Sequence, residues 1–512
     1  MFPDVYLLRI YRKIPRYIKI TFLATFIIGL FIHLYMFTNK LPNRDEAGAI
    51  YHLQDYKNLG RWFLRVPAAI SSSFNLPWVN GILSLLYISI AACLIVSCLQ
   101  MKRLVLCVLA GSIMVSFPSV CSTFSYIGFA DAYFMGFLIA CLAVYIAFKY
   151  TYGFLAAIPF IVLSLGIYQA HFAVSATLMI GMLIIDTLKK SSFKQVFFKA
   201  MKYVCSLLAG IIIYMQVTKL FYWPLSDYRG LTDIGNINIS KFPALIMQAY
   251  YEVYAFFFQN SFAFHYPFMK YGFGIILFIF CSLILFIIIK GRIYRSKGSL
   301  FLLLALVAVL PLSSNLIIIM SGDENPHLLM LYSLMILFLV VLALINVGIE
   351  FVDLEKRYKW VVAGCYWGVG VFFAFCIYNY ALVTNESYFR LHMAYEQGYA
   401  YGITLISNIE YTEGYLPEDT VVFVGKPVVT DATPDVPELS KITGIDAQLP
   451  GTWNYTGFLD QFLGFHQEII TMETAQLKEQ GIYEEVEELP LYPAKGSVKK
   501  MGGYIVVKFT EL

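Results

Sequence analysis

The chain has 512 residues, 59% of them apolar and only 14% charged, against roughly a quarter charged in an ordinary globular domain. That balance excludes an ordinary soluble enzyme and a nucleic-acid binder. The formal charge of +4 conceals a split: 29 basic and 14 acidic residues through Asn385, then 8 basic and 19 acidic. The basic excess lies in short loops beside apolar runs, which is a topology signal rather than a nucleic-acid footprint.

Apolar runs close to the ~20 residues that cross a bilayer recur along the chain. They predict an all-α polytopic membrane protein of about eleven spans over residues 1–384, followed by a small α/β domain over 385–512. Arg9, Arg12, Lys13, Arg16 and Lys19 precede the first span, 18–38. Its apolar part is too long for a cleaved signal and no small-x-small site follows, so the span is retained with the N-terminus cytoplasmic. The long polar interval 39–75 is then an outer loop.

Further spans fall at 79–100, 104–121 (with Pro118 near its end) and 131–148. The interval 153–188 is too long for one crossing and reads as two short spans meeting near Tyr168-Gln169-Ala170-His171. Lys189, Lys190, Lys194, Lys199 and Lys202 mark a cytoplasmic segment. Next come a span at 203–222, an outer loop with Asp227, Arg229 and Asp233, and an aromatic stretch, 242–268, suited to the interface. A span at 271–289, a ninth ending near Met320, a tenth after the turn 321–327 and an eleventh at 360–382 complete the set. Of the 29 basic residues before the tail, twenty fall in predicted cytoplasmic segments. The odd span count places the tail outside. Within the tail, 391–410 reads as a helix, 420–425 as a buried strand, 468–480 as a helix and 504–509 as a closing strand.

The nine cysteines all lie inside or at the ends of apolar runs, as small packing residues do, and no pair has zinc-site spacing. The outer loops instead collect ionisable groups, which at a membrane boundary are functional candidates by default. They are Asp45, Glu46, Asp55 and Arg61 in the first loop, Asp131 at the fourth span, and Tyr168, Gln169 and His171 at the turn between the two short spans. Asp227 and Arg229 follow, then Asp323, Glu324 and His327. Each has a plainer reading. The acid pair can be solvated or cap a helix, Arg61 and Arg65 can contact headgroups, and Asp131 can cap its helix. Tyr168, Gln169 and His171 can bond between helices, and His33 can simply pack.

The paired acids of the first outer loop, Gly60-Arg61-Trp62 near its end, and the segment Gly166-Ile167-Tyr168-Gln169-Ala170 resemble the bacterial O-antigen-modifying glucosyltransferase (Gtr-type) family, over residues 1–190. The resemblance implies a GT-C-like enzyme acting at the outer face of the cytoplasmic membrane. Such an enzyme moves a hexose, by default glucose, from a polyprenyl-phosphate carrier to a cell-surface glycan such as O-antigen. On this resemblance Asp45, with Glu46 as second choice, is the base that deprotonates the acceptor hydroxyl. Arg61 receives the departing phosphate, assisted by Arg44, Arg229 or His327. Asp131, Tyr168, Gln169 and His171 join the substrate site. The family leads to an arginine where His327 stands. No acid catalyst is required and no cofactor is specified; a divalent cation bridging Asp45 and Glu46 to the phosphate is compatible with the chemistry but marked by no ligand spacing. Two rivals remain. A transporter or flippase of lipid-linked glycans would show repeats and matched broken helices, and a glycan polymerase or ligase would rely on arginine-rich outer loops.

Overall fold

The structure is a computed structural model that describes residues 2–51, 56–72, 74–222, 224–226, 239–259, 264–322, 326–353, 359–433 and 435–512. A short exposed helix α1 (Pro3–Lys13) leads into α2 (Arg16–Thr38), and the loop that follows carries one turn of helix, α3 (Arg65–Ala68). Then come α4 (Pro77–Cys98), α5 (Leu104–Ser116), α6 (Pro118–Phe124), α7 (Ile127–Lys149), α8 (Gly153–Ile167) and α9 (His171–Leu188). After these follow α10 (Phe193–Phe221), α11 (Phe242–Phe258), α12 (Met269–Gly291), α13 (Lys297–Ser314), α14 (Leu316–Ser321), α15 (Leu334–Asp353) and α16 (Lys359–Glu410).

Nine of the described helices are long and apolar enough to cross a membrane, and ten if the bent pair α5–α6 counts as one span. Helices suit this role because every backbone polar group is satisfied within the segment. The bend of 45° falls at Phe117-Pro118, where proline removes a donor and pushes the preceding residue to an extended conformation. Small residues bring the helices close. A Cβ on Gly29 of α2 would stand 2.7 Å from Leu85 of α4, and one on Gly181 of α9 would stand 2.7 Å from Val340 of α15.

Contacts at the helix ends define two ends of the bundle. At one, Asp186 pairs with Lys199 at 2.6 Å and accepts from Gln100, Lys189 pairs with Glu350 at 2.9 Å, and Asn346 accepts from the Lys102 amide. At the other lie the start of α7, the α8–α9 turn and the loop after α2. At 15 residues α8 is only about 22 Å long. It still connects the two ends, from Gly153 against Ile146 to Tyr168 against Tyr133. Its last turn lies beside Gly136 of α7, through Ser164 Oγ donating to the Gly136 carbonyl at 2.8 Å. Gly136 is about 13 Å in from the start of α7. The short helix therefore leaves a recess at this end, with residues 168–171 as its floor.

The last helix, α16, has 52 residues. It passes without a break through residues 384 and 385, from the bundle into the tail. There β1 (Thr420–Val424), β2 (Ile469–Thr471), β3 (Val498–Met501) and β4 (Tyr504–Lys508) form a sheet of order β2-β1-β4-β3. β1 is parallel to β2 and β4, and β3 is antiparallel to β4. Both predicted strands and the predicted α/β class are present. The predicted helix over 468–480 is corrected: Ile469–Thr471 is a strand, and only Thr474–Glu479, α18, is helical after α17 (Tyr455–Leu463). The β-branched Ile469, Ile470 and Thr471 pair with β1, and that pairing overrides local helical pattern. A final turn of helix, α19 (Tyr483–Glu487), precedes β3.

Candidate active site

The acid pair sits on a turn built by Asn43. The Asn43 side chain is fully buried; its amide donates to the Ser125 carbonyl at 2.6 Å, and its oxygen accepts from the Asp45 and Glu46 amides at 2.8 and 3.0 Å. A short polar side chain that captures amides two and three residues on is the usual way to fix such a turn. The turn drives Glu46 inward, to 4% exposure, where Oε1 accepts from the Gly128 amide at 2.8 Å in the first turn of α7. Free amides and the helix dipole both favour an acidic side chain there. Burial nevertheless pushes the Glu46 carboxyl up to about 8, against the opposing hydrogen bonds from Gly128 and Asn75. Its Oε2 has no hydrogen-bond partner among the described residues. Asp45 stays accessible, its side chain 36% exposed and 3.8 Å from Arg44 Nε.

Fifteen residues further on, the loop drops into the recess above the α8–α9 turn. Phe63 N–H donates to Gly166 O at 2.8 Å, Gln169 Nε2 to Leu59 O at 2.8 Å, Tyr214 Oη to Gly60 O at 3.1 Å, and Trp62 Nε1 to Thr218 Oγ1 at 3.2 Å. Gly60 has a φ of +72°, and a Cβ there would approach Tyr214 Oη at 2.5 Å and Gln169 Nε2 at 2.9 Å. Both the backbone and the space therefore call for glycine. This seating places Arg61 among three tyrosines. Its Nη1 donates to Tyr133 Oη at 3.0 Å, and the guanidinium lies 4.8 Å from the Tyr168 ring, 5.7 Å from Tyr56 and 6.0 Å from Tyr133. Each such face is worth ~0.5–2 kcal/mol depending on desolvation. Asp45, Glu46 and Arg61 all act electrostatically on Tyr56, where burial drives the phenol pKa upward. Tyr56 links the two parts of the loop: its ring lies 5.7 Å from the Arg61 guanidinium and 5.4 Å from Phe129, next to the Gly128 that holds Glu46.

Asp131 does not cap α7. The cap position is Tyr126 with no side-chain cap, and the acid that serves the helix start is Glu46. Asp131 is fully buried in the second turn, where Oδ1 accepts from Asn80 Nδ2 at 3.2 Å; the same amide donates to the Gly128 carbonyl at 3.1 Å. Gly128 is therefore held on its N–H side by Glu46 and on its carbonyl side by the residue that binds Asp131.

The tail closes over the turn. Asp446 Oδ2 accepts from the Arg44 amide at 3.2 Å, with Oδ1 3.8 Å from Arg44 Nε. Asn454 donates to the Asp45 carbonyl at 3.3 Å, Gln461 accepts from the Ile50 amide at 2.7 Å, and Ser125 Oγ donates to the Thr443 carbonyl at 2.9 Å. Ala47 packs in the same core as β1 and β4.

The structure gathers Asp45, Glu46, Arg44, Arg61, Asp131, Tyr168 and Gln169 around the first loop. Gln169 spends its amide on Leu59 and Tyr214, holding the loop. His171 is buried behind Tyr168, ringed by Phe137, Tyr168 and Tyr332 at 5.5–6.2 Å between centroids. His327 precedes a 3-10 turn, Leu328–Met330, whose Leu329 amide donates to Thr443 Oγ1 at 3.4 Å. Asp55, Asp227, Arg229, Asp233, Asp323 and Glu324 lie outside the described residues. Sequence reasoning missed Asn43, Tyr56, Tyr133 and Asp446. Asn43 carries a readable signal, an Asn three residues before Glu at a helix-start-like turn. Tyr133, two residues after Asp131, and Asp446, four hundred residues from its partner, carry none.

Compared with known families, the chain matches the family model described as "Glucosyl transferase GtrII" over residues 34–344. No curated protein and no solved structure matches the chain.

Proposed function

The chain belongs to the glucosyl transferase GtrII family, and from that premise we propose that it moves glucose from a polyprenyl-phosphate carrier to a cell-surface glycan such as O-antigen. The reaction would take place at the outer face of the cytoplasmic membrane, with the first loop and the tail on that side and the N-terminus in the cytoplasm. The lysine and arginine distribution supports this orientation, because the opposite end of the bundle carries Lys189, Lys190 and Lys199.

The observation that carries the reading is the seating of Arg61 against Tyr133 and Tyr56, with Tyr56 packed on Phe129 beside the Gly128 amide that holds Glu46 of the acid pair. Sugar transfer from a lipid phosphate needs a base for the acceptor hydroxyl and a cation for the leaving phosphate. It needs no acid catalyst, since the leaving group is already a phosphate. Asp45 is the base in this proposal. Glu46 holds its proton near neutrality and spends one oxygen on α7, so it is poorly placed to accept another. The acceptor oxygen attacks the anomeric carbon as Asp45 takes its proton, the bond from that carbon to the phosphate oxygen breaks, and the phosphate leaves against Arg61. Arg61 is suited to this role because its guanidinium is oriented by Tyr133 and desolvated by Tyr168. Arg44, already tied to Asp446, and His327 and Arg229 are auxiliary candidates.

Among the described residues, one pair of helices that would together make a single span is bent by more than 40°, at Phe117-Pro118. This supports catalysis over transport by matched broken helices. The test is transfer of labelled glucose from a polyprenyl-phosphate donor to envelope glycan by membranes carrying the wild-type chain. Transfer supports the reading, and lipid-linked glycan translocation without transfer would replace it.

A further inference from the structure

His265, Glu386 and Glu438 come together, each offering a ligand atom within 4.8 Å of the other two. We propose that they hold a divalent transition cation, zinc or manganese, that staples the tail to the bundle. His265 Nδ1 lies 3.0 Å from Glu438 Oε1 and 3.7 Å from Glu386 Oε1. Three chain segments meet here: the one leading into α12, the middle of α16, and the 3-10 turn Pro437–Leu439 of the tail.

The geometry is prepared rather than incidental. The His265 amide donates to Asn379 Oδ1 at 2.9 Å, two turns before Glu386 on the same helix, so α16 positions two of the three ligands. Glu386 Oε2 is shielded from solvent and has no hydrogen-bond partner among the described residues. A buried carboxylate oxygen left so is costly unless a cation or donor meets it. The side chains of His265, Glu386 and Glu438 are 36, 38 and 20% exposed, which leaves a path for an ion. One imidazole with two carboxylates favours zinc or manganese over magnesium or calcium, whose sites are built from oxygen alone. Three protein ligands leave a position for water. Direct pairing of His265 with the two acids is the competing arrangement, and it needs no metal.

The staple matters to the neighbouring turn. Glu438 lies eight residues before Asp446, which holds Arg44 beside Asp45. A cation joining Glu438 to α16 would fix the stretch that covers the acid pair. The inference does not depend on which reaction that pair performs.

The test uses the full chain in detergent, purified without a histidine tag, stripped with chelator and titrated with cobalt(II) as a spectroscopic stand-in, then with zinc and manganese. We expect one cobalt per chain, with visible absorption of a histidine–carboxylate site displaced by zinc, and separate saturable binding of manganese to the stripped chain. His265→Ala and Glu438→Gln should each weaken binding at least tenfold, and zinc or manganese should raise the Tm of the wild type but of neither variant. Failure of the wild type to bind metal saturably overturns the proposal whatever the variants do. Equal binding by the wild type and folded variants overturns it too.

Discussion

The Gly128 amide donates to Glu46 Oε1 at 2.8 Å, joining the start of α7 to a turn 82 residues earlier in the chain. This bond fixes the acid pair against the bundle, and it has a cost that depends on pH. Burial raises the folded-state pKa of Glu46 to about 8 from its ordinary 4.5. Between those values the unfolded chain has released a proton that the folded chain keeps, so Glu46's contribution falls as pH rises through that window. Gln keeps an oxygen for Gly128 and does not titrate. Between about pH 5 and about pH 8 the wild-type Tm should therefore fall more steeply than that of Glu46→Gln. Thermal scans in detergent check this, and parallel slopes would contradict it.

Arg61 should be irreplaceable by another cation. Lysine keeps the charge but loses the planar contact with Tyr168 and the fork that reaches Tyr133. Arg61→Lys is expected to lower kcat/KM for the lipid-phosphate donor by roughly tenfold or more, equivalent to at least ~1.4 kcal/mol. The fall should exceed any change in Tm. Donor titration at fixed acceptor measures it, and unchanged donor kinetics would remove Arg61 from the phosphate site.

Gly60→Ala should mimic the loss of Arg61 without touching it. The added Cβ meets Tyr214 and Gln169, and the positive φ disfavours alanine by ~1–2 kcal/mol. The loop should lift from the recess, so that kcat/KM falls and protease cleavage within residues 56–64 speeds up. A variant with normal activity and normal protease resistance would show that the seating is not needed.

Asp446→Ala should loosen the tail without unfolding either part. The cluster around Asp446 and Arg44 is partly exposed, so its loss is expected to cost no more than ~1 kcal/mol. Hydrogen exchange should increase at residues 43–50 and leave the sheet unchanged. No change at the turn would mean that Asn454, Gln461 and Ser125 hold the tail without Asp446.

Much of the fold was legible because membrane spans write themselves in composition. The division of 153–188 into two short helices followed from length alone, and α8 and α9 meet within one residue of the predicted turn. The error at 468–480 has the opposite origin: three residues became a strand because β1 lay beside them, and no local pattern carries that neighbour. At the site, the acids and Arg61 were legible as charges in an apolar chain. Their partners were not. Tyr133 is one aromatic residue among 38 tyrosines, and Tyr168 was named from the resemblance without its contact to Arg61; only the recess left by the short α8 shows that contact. The plainer reading of Asp131, a cap at the opening of an apolar run, fails because α7 begins four residues earlier and takes its acid from Glu46.

The most direct measurement of the central claim compares wild type with Asp45→Asn, at matched folded amounts, in transfer of labelled glucose from polyprenyl-phosphate glucose to envelope glycan. Removal of a general base typically costs ~10²–10⁴-fold, and Asp45 is exposed enough that its substitution should shift Tm little. Transfer by the wild type and a loss of at least about a hundredfold in Asp45→Asn, with the fold intact, are expected. A folded Asp45→Asn variant that transfers glucose at close to the wild-type rate would contradict the central claim.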